Sequence, residues 1–223
     1  MSNPDWINRW KQGRIGFHRS EFNPTLLKYW PQLKLSEARS VLVPLCGKSL
    51  DMVWLRQQGL EVIGTELVKT AVESFYQEQS LQPAVKEVQG YRHWQADDIH
   101  ILEGDFFALP EGSIQSTVFY DRAALVALPR EMRQQYVKHL ANAAPHIQEG
   151  LLITVEYDQD LVSGPPFSVE EQEVRALYSP RFEVIKLDTH SAPASTNLRE
   201  KGVNELIEVV YKLALSSQPP GLF

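Results

Sequence analysis

The sequence predicts a three-layer α/β domain on a mostly parallel sheet, and three observations carry that prediction. From residue 40 onward, short apolar runs of strand length alternate with segments of helical period. The first of these, residues 40–45, is an apolar run of the kind that a strand covered on both faces requires. The chain then closes on two consecutive strand-like runs, residues 182–187 and 206–213, which suit an antiparallel edge.

Each element has a local reason. Trp6 and Trp10 stand four apart and share one face of a short helix. Asn23 before Pro24 is a cap and first-turn signal for a second helix through Leu26, Leu27 and Trp30. Residues 40–45 make the first strand and lead through Cys46-Gly47-Lys48-Ser49 into a helix carrying Leu50, Val53 and Trp54, ending near Gly59. Residues 61–66 make the second strand, followed by a helix around Ala71, Val72, Phe75 and Tyr76. The stretch 83–98 is ambiguous between a loop and a strand pair turning near Gly90 or Asp97-Asp98. Strands follow at 99–102, 117–120 and 151–155, with a helix from about Pro129 carrying Met132, Tyr136, Val137 and Leu140. A Gly164-Pro165-Pro166 loop precedes a helix over 169–178.

At 223 residues the chain suits one domain, 1–223, with 1–38 as an N-terminal helical cap and 39–223 as the α/β core. Its 43% hydrophobic and 22% charged residues exclude a largely disordered chain. A net charge of −6 argues against a surface built to neutralise nucleic-acid phosphates. No apolar run approaches the roughly 20 residues that span a bilayer, and residues 1–6 lack a signal-peptide pattern. The single cysteine, Cys46, cannot pair within the chain. The expectation is a cytoplasmic, soluble, mildly acidic protein without nucleic-acid or membrane partners.

In a doubly wound sheet, ligands bind beyond the carboxyl ends of the strands. The residues to read there are 44–49, Glu66, Asp105-Phe106, Asp121-Arg122 and Tyr157-Asp158. Gly47-Lys48-Ser49 resembles the tail of a phosphate-binding loop, but Leu42 stands where that motif needs its first glycine. A dinucleotide fingerprint is excluded as well, because Gly47 is the loop's one glycine. Glu66 lies nineteen residues beyond Gly47, where such folds place a carboxylate toward ribose hydroxyls. Position alone serves a solvated strand-end glutamate equally well. Asp105-Phe106 fits an adenine contact or, on position, an ordinary turn acid beside a core ring. Arg122 fits an anion-orienting group or half of a surface pair with Asp121. A ligand with adenine and ribose but no diphosphate satisfies these positions, and S-adenosylmethionine is such a molecule. The six histidines show no metal-ligand spacing, so no metal is called for.

Five stretches also carry a family resemblance. They are residues 6–18 (WINRWKQGRIGFH), 43–52 (VPLCGKSLDM), 62–66 (VIGTE), 120–128 (YDRAALVAL) and 164–167 (GPPF). In these the chain resembles the thiopurine S-methyltransferases, more closely the bacterial members, in order along nearly its whole length. The resemblance implies a Rossmann-like methyltransferase fold with a seven-stranded, mostly parallel sheet, an antiparallel edge and an N-terminal lid over the cofactor. It implies S-adenosylmethionine as cofactor and S-adenosylhomocysteine as product. Binding positions then fall on Trp10, Leu45, Glu66 and Arg122, with Trp6, Phe17, Asp105 and Phe106 as further contacts. Arg122 is the implied catalytic residue, with Asp121 holding it in place. The implied activity is methylation of aromatic and heterocyclic thiols by a monomer. Two alternatives share the same cofactor half: methylation of another soft nucleophile (a selenium or tellurium oxyanion, a halide), and cofactor binding without turnover. A second, C-terminal arginine is suggested by the family; Arg199 is the nearest, but its local sequence departs from the pattern.

Overall fold

The computed structural model describes residues 3–13, 19–35 and 38–217. Its strands are β1 (Ser40–Val43), β2 (Glu61–Glu66), β3 (Ala84–Val88), β4 (Tyr91–Ala96), β5 (Ile99–Glu103), β6 (Val118–Asp121), β7 (Glu149–Glu156), β8 (Phe182–Pro193) and β9 (Glu205–Leu215). The helices are α1 (Asn3–Lys11), α2 (Pro24–Tyr29), α3 (Asp51–Gln57), α4 (Lys69–Glu78), α5 (Ala124–Ala127), α6 (Arg130–Ala143), α7 (Glu171–Tyr178) and α8 (Thr196–Arg199).

The strands form one sheet in the order β3-β4-β5-β2-β1-β6-β7-β9-β8. The five central strands, β5 to β7, are parallel, while β3, β4, β8 and β9 pair antiparallel. The expected seven strands are therefore present with two more, because residues 84–96 form a hairpin turning at Gln89-Gly90, both at positive φ. Every residue of β3 is exposed, so that strand carries no apolar pattern to read. In β4, Tyr91 and Trp94 are buried and Ala96 packs against the core.

The central strands alternate between two cores, as a period of two demands. Val41, Val43, Val62, Val118, Tyr120, Leu151 and Ile153 face α2, α3 and α4. Leu42, Phe119 and Leu152 face α5, α6 and α7. The N-terminal segment is divided between two environments. Asn23 caps α2 through its side chain, which accepts the Thr25 amide at 2.9 Å, and Leu26, Tyr29 and Trp30 are buried in the first core. Only α1 lies toward the carboxyl ends of the strands, where Arg9 Nη2 donates to the Gly164 carbonyl at 3.4 Å. Chain order puts β1 beside β2 on one side and β6 on the other, so the winding reverses between β1 and β6. That reversal opens the crevice where ligands of such sheets bind.

Gly150 on β7 sits so close to the second core that an added Cβ would stand 2.1 Å from the Phe119 ring. Gly150→Ala should therefore overpack a central strand and cost about 1–3 kcal/mol. At this chain length, that corresponds to a fall in melting temperature of about 3–10 °C. A thermal melt unchanged from the parent protein would show that the ring can move aside.

Candidate functional site

The site begins with the loop that leaves β1. Leu45 and Gly47 both take positive φ, 47° and 55°, which turns the chain sharply at the strand end. Leu45 donates its amide to Thr65 Oγ1 at 3.1 Å, and Cys46 donates to the Thr65 carbonyl at 2.9 Å. The loop is thereby laced to the end of β2. Gly64 makes the approach possible, since an added Cβ would meet Cys46 Sγ at 2.8 Å.

Glu66 closes β2 and is buried. Its Oε2 accepts the Gly47 amide at 2.9 Å and its Oε1 the Val68 amide at 2.7 Å. Burial pushes its pKa up to about 7, against the pull of these amides, and the nearby Glu103 adds to the rise. A carboxylate has about four acceptor sites. The backbone amides, with that of Leu67 beside those of Gly47 and Val68, leave part of this acceptor capacity free, which fits a hydroxyl-bearing group such as a ribose. Cys46 lies alongside, and burial followed by the Glu66 charge raises its thiol well above its ordinary pKa. That holds Cys46 as an unreactive thiol rather than a nucleophile.

Asp105 follows β5 and caps a short 3-10 turn, its Oδ1 accepting the Phe107 amide at 3.0 Å. Its carbonyl accepts the Tyr91 hydroxyl at 2.7 Å. The Phe106 ring is buried, with ring centroids 5.4 Å from Tyr136 and 5.2 Å from His139. The ring belongs to the core, so the contact expected of Phe106 reduces to its backbone.

At the end of β6 the two expected partners separate. The Asp121 carboxylate is buried and turned inward, where Oδ1 accepts the Ala124 and Leu125 amides at 2.9 and 3.2 Å and Oδ2 the Tyr136 hydroxyl at 2.7 Å. Burial raises its pKa to about 6. Asp121 thus fixes the turn that carries Arg122 through the backbone, in place of the side-chain pairing expected for it. Arg122 is half-buried, and its charge acts on the Tyr120 hydroxyl. With β2, β1 and β6 adjacent and parallel, Glu66 and Arg122 stand on one sheet edge, two strand spacings or about 10 Å apart.

Trp6 and Trp10 lie half-buried on α1, and the Arg9 guanidinium sits 6.0 Å from the Trp6 ring. Phe17 falls outside the described residues. Arg199 is exposed on α8 and bonds Thr196 Oγ1 at 3.4 Å. Sequence reasoning missed Asp51, whose Oδ1 accepts the Asn23 amide at 2.8 Å and whose Oδ2 accepts the Tyr120 hydroxyl at 2.9 Å. Its position in the first helical turn reads as an ordinary helix-start acid, so only the tertiary bonds reveal it. Arg133, on α6, was missed for the same reason.

This architecture belongs to a large class of methyltransferases. A Burkholderia thailandensis 1,6-didemethyltoxoflavin-N1-methyltransferase, solved with 1,6-didemethyltoxoflavin and S-adenosylhomocysteine, superposes with a TM-score of 0.63. It is 14% identical, with 96% of this chain and 87% of that one covered. Magnesium protoporphyrin IX methyltransferase from Synechocystis, solved with S-adenosylhomocysteine, gives 0.61 at 15% identity, covering 96% of each chain. At these identities the likeness defines the fold.

The sequence comparisons define the family. A family model for thiopurine S-methyltransferase matches residues 1–216. Thiopurine S-methyltransferase of Pseudomonas syringae pv. tomato is 46% identical over 211 residues, 94% of this chain and 96% of the relative. That of Pseudomonas paraeruginosa is 44% identical over 210 residues, 93% and 96% respectively. The chain belongs to the thiopurine S-methyltransferase family.

The raised pKa values make a testable statement. Between about pH 4 and 7 the unfolded chain has lost the protons that folded Glu66 and Asp121 retain. Stability contributed by these two sites is therefore full below pH 4 and falls as pH rises toward 7. Carboxyl NMR should find Glu66 titrating near 7 and Asp121 near 6. Values near 4 for both would remove this pH dependence.

Proposed function

We propose that this chain transfers a methyl group from S-adenosylmethionine to the sulfur of aromatic and heterocyclic thiols, thiopurines among them. The observation that carries the reading is the family match across residues 1–216, joined to a buried carboxylate and an arginine on one sheet edge. When bound, S-adenosylmethionine supplies an electrophilic methyl on a sulfonium centre.

The chain's own part is binding, alignment and exclusion of water. Glu66 accepts the ribose hydroxyls while the β1 loop, with Leu45 at its turn, holds the cofactor against the sheet. The Asp105-Phe106 segment bounds the adenine side through its backbone. Trp6 and Trp10 on α1 cover the crevice. Alignment of a soft sulfur nucleophile supplies most of what such a transfer needs. Arg122 faces the acceptor and stabilises the anionic form of the thiol, so no strong base is required. Residues 1–38 serve in part as a lid and residues 39–223 as the catalytic core. A cytoplasmic monomer acting on small molecules, with neither nucleic acid nor membrane as partner, completes the reading. The buried single cysteine suits a reducing compartment.

Purified protein with S-adenosylmethionine and 6-mercaptopurine should yield the S-methyl product, and Arg122→Ala should lower kcat/KM by about tenfold to a hundredfold. Absence of product while the cofactor still binds would turn the reading toward other soft acceptors or toward binding without turnover. The Kd for S-adenosylhomocysteine should rise about tenfold from pH 8 to pH 6, because protonated Glu66 accepts hydroxyls poorly. Glu66→Gln should flatten that dependence, and an equally steep profile in the variant would assign the titration elsewhere.

A further inference from the structure

We infer that Arg133 is the positioning residue that holds the acceptor wall of the crevice in register with Arg122. The inference rests on the methyltransferase reading of the crevice. Arg133 lies in the first turns of α6 and is only 2% exposed, a rare placement for an arginine. Its donors go to three different segments. Nε donates to the Leu128 carbonyl at 2.9 Å, at the end of the stretch that starts with Arg122. Nη2 donates to the Ser168 carbonyl at 3.2 Å, at the end of the Gly164-Pro165-Pro166-Phe167 segment. Nη1 pairs with Glu173 Oε2 at 2.7 Å on α7.

The Phe167 ring lies 5.9 Å above the guanidinium, and the Phe167 amide donates to the Val126 carbonyl at 2.6 Å. Gly164, at φ 72°, packs under the same ring so closely that a Cβ would stand 2.5 Å from it. The Gly164 carbonyl in turn accepts from Arg9 of α1. A continuous stack therefore runs from α1 through Gly164 and Phe167 to Arg133. One planar fork sets the spacing between the loop bearing Arg122 and the loop facing it.

The chemistry requires arginine rather than any cation. A buried guanidinium must spend its donors on fixed partners, and a lysine can neutralise Glu173 but cannot reach both carbonyls. The residue touches neither cofactor nor acceptor; it acts through the loops, so its loss should appear in acceptor binding first.

The test compares Arg133→Lys and Arg133→Met with the parent enzyme, measuring KM for 6-mercaptopurine, Kd for S-adenosylhomocysteine and hydrogen exchange of the Phe167 and Ser168 amides. In Arg133→Lys, KM for the thiol should rise about tenfold or more, with the S-adenosylhomocysteine Kd within about twofold. Exchange at Phe167 should quicken while the amides of β1 and β2 keep their protection, and Arg133→Met should show the same pattern more strongly. An unchanged thiol KM, or a KM and Kd that worsen together with general loss of protection, overturns the inference. If the parent protein methylates no thiol, the functional reading fails. Exchange then decides alone: selective loss of protection at Phe167 supports Arg133 as the strut, and unchanged exchange overturns it.

Discussion

The buried carboxylate of Glu66 is the constraint around which the site is arranged. It joins the loop after β1, through the Gly47 amide, to the turn after β2, through the Val68 amide. An isolated charge taken out of water is costly, and amides aimed at it offset that cost only in part. The outcome is a group held near neutrality, with a pKa of about 7. Gly64 and the positive φ of Leu45 and Gly47 exist in service of this junction, because the loop can reach Glu66 only by folding tightly onto β2. On the function proposed above, a ligand bringing hydroxyl donors would complete the coordination that the backbone leaves unfinished.

The other half of the crevice is organised by charges that never reach it. Asp121 spends its oxygens on the start of α5 and on Tyr136, and Arg133 spends its donors on two loop carbonyls and Glu173. Each is buried and saturated with bonds, the condition under which interior charge is tolerated. The turns that follow β6 and β7 thus rest on rigid polar anchors, a buried carboxylate and a buried guanidinium that set the geometry from below the surface.

Much of this was legible in the sequence, and the exceptions have physical causes. Residues 40–43 and 118–121 declare themselves because strands covered on both faces are largely apolar, and 61–66 through its apolar Val62-Ile63 centre. The spacing of Glu66 from Gly47 singled it out without deciding between a buried and a solvated carboxylate, and its burial and backbone bonds are what the structure adds. The β3–β4 hairpin was obscure because an edge strand exposed on both sides imposes no hydrophobic pattern. For Phe106 and Asp121 the sequence left the side-chain direction open, because position after a strand does not say whether a side chain turns up into the crevice or down into the core. Helix α2 was read from Asn23-Pro24, but its place was not: grouped with the N-terminal cap, it buries Leu26 and Trp30 in the core. Arg133 was invisible, since a charged residue in a helix of ordinary pattern reads as solvated until its tertiary partners are known.

The division between the two halves also bears on acceptor choice. The fold is shared with methyltransferases only 14–15% identical to this chain and with very different names, a 1,6-didemethyltoxoflavin and a magnesium protoporphyrin IX methyltransferase. The fold by itself therefore does not choose the acceptor. The segment Pro165-Pro166-Phe167 presents half-buried apolar surface beside that fold's crevice-forming strands. On the function proposed above, a hydrated oxyanion entering a space so lined would give up water to apolar groups, an unfavourable exchange. A flat heteroaromatic thiol would instead bury its ring against the same wall. An apolar wall thus favours the aromatic thiol over a small anion.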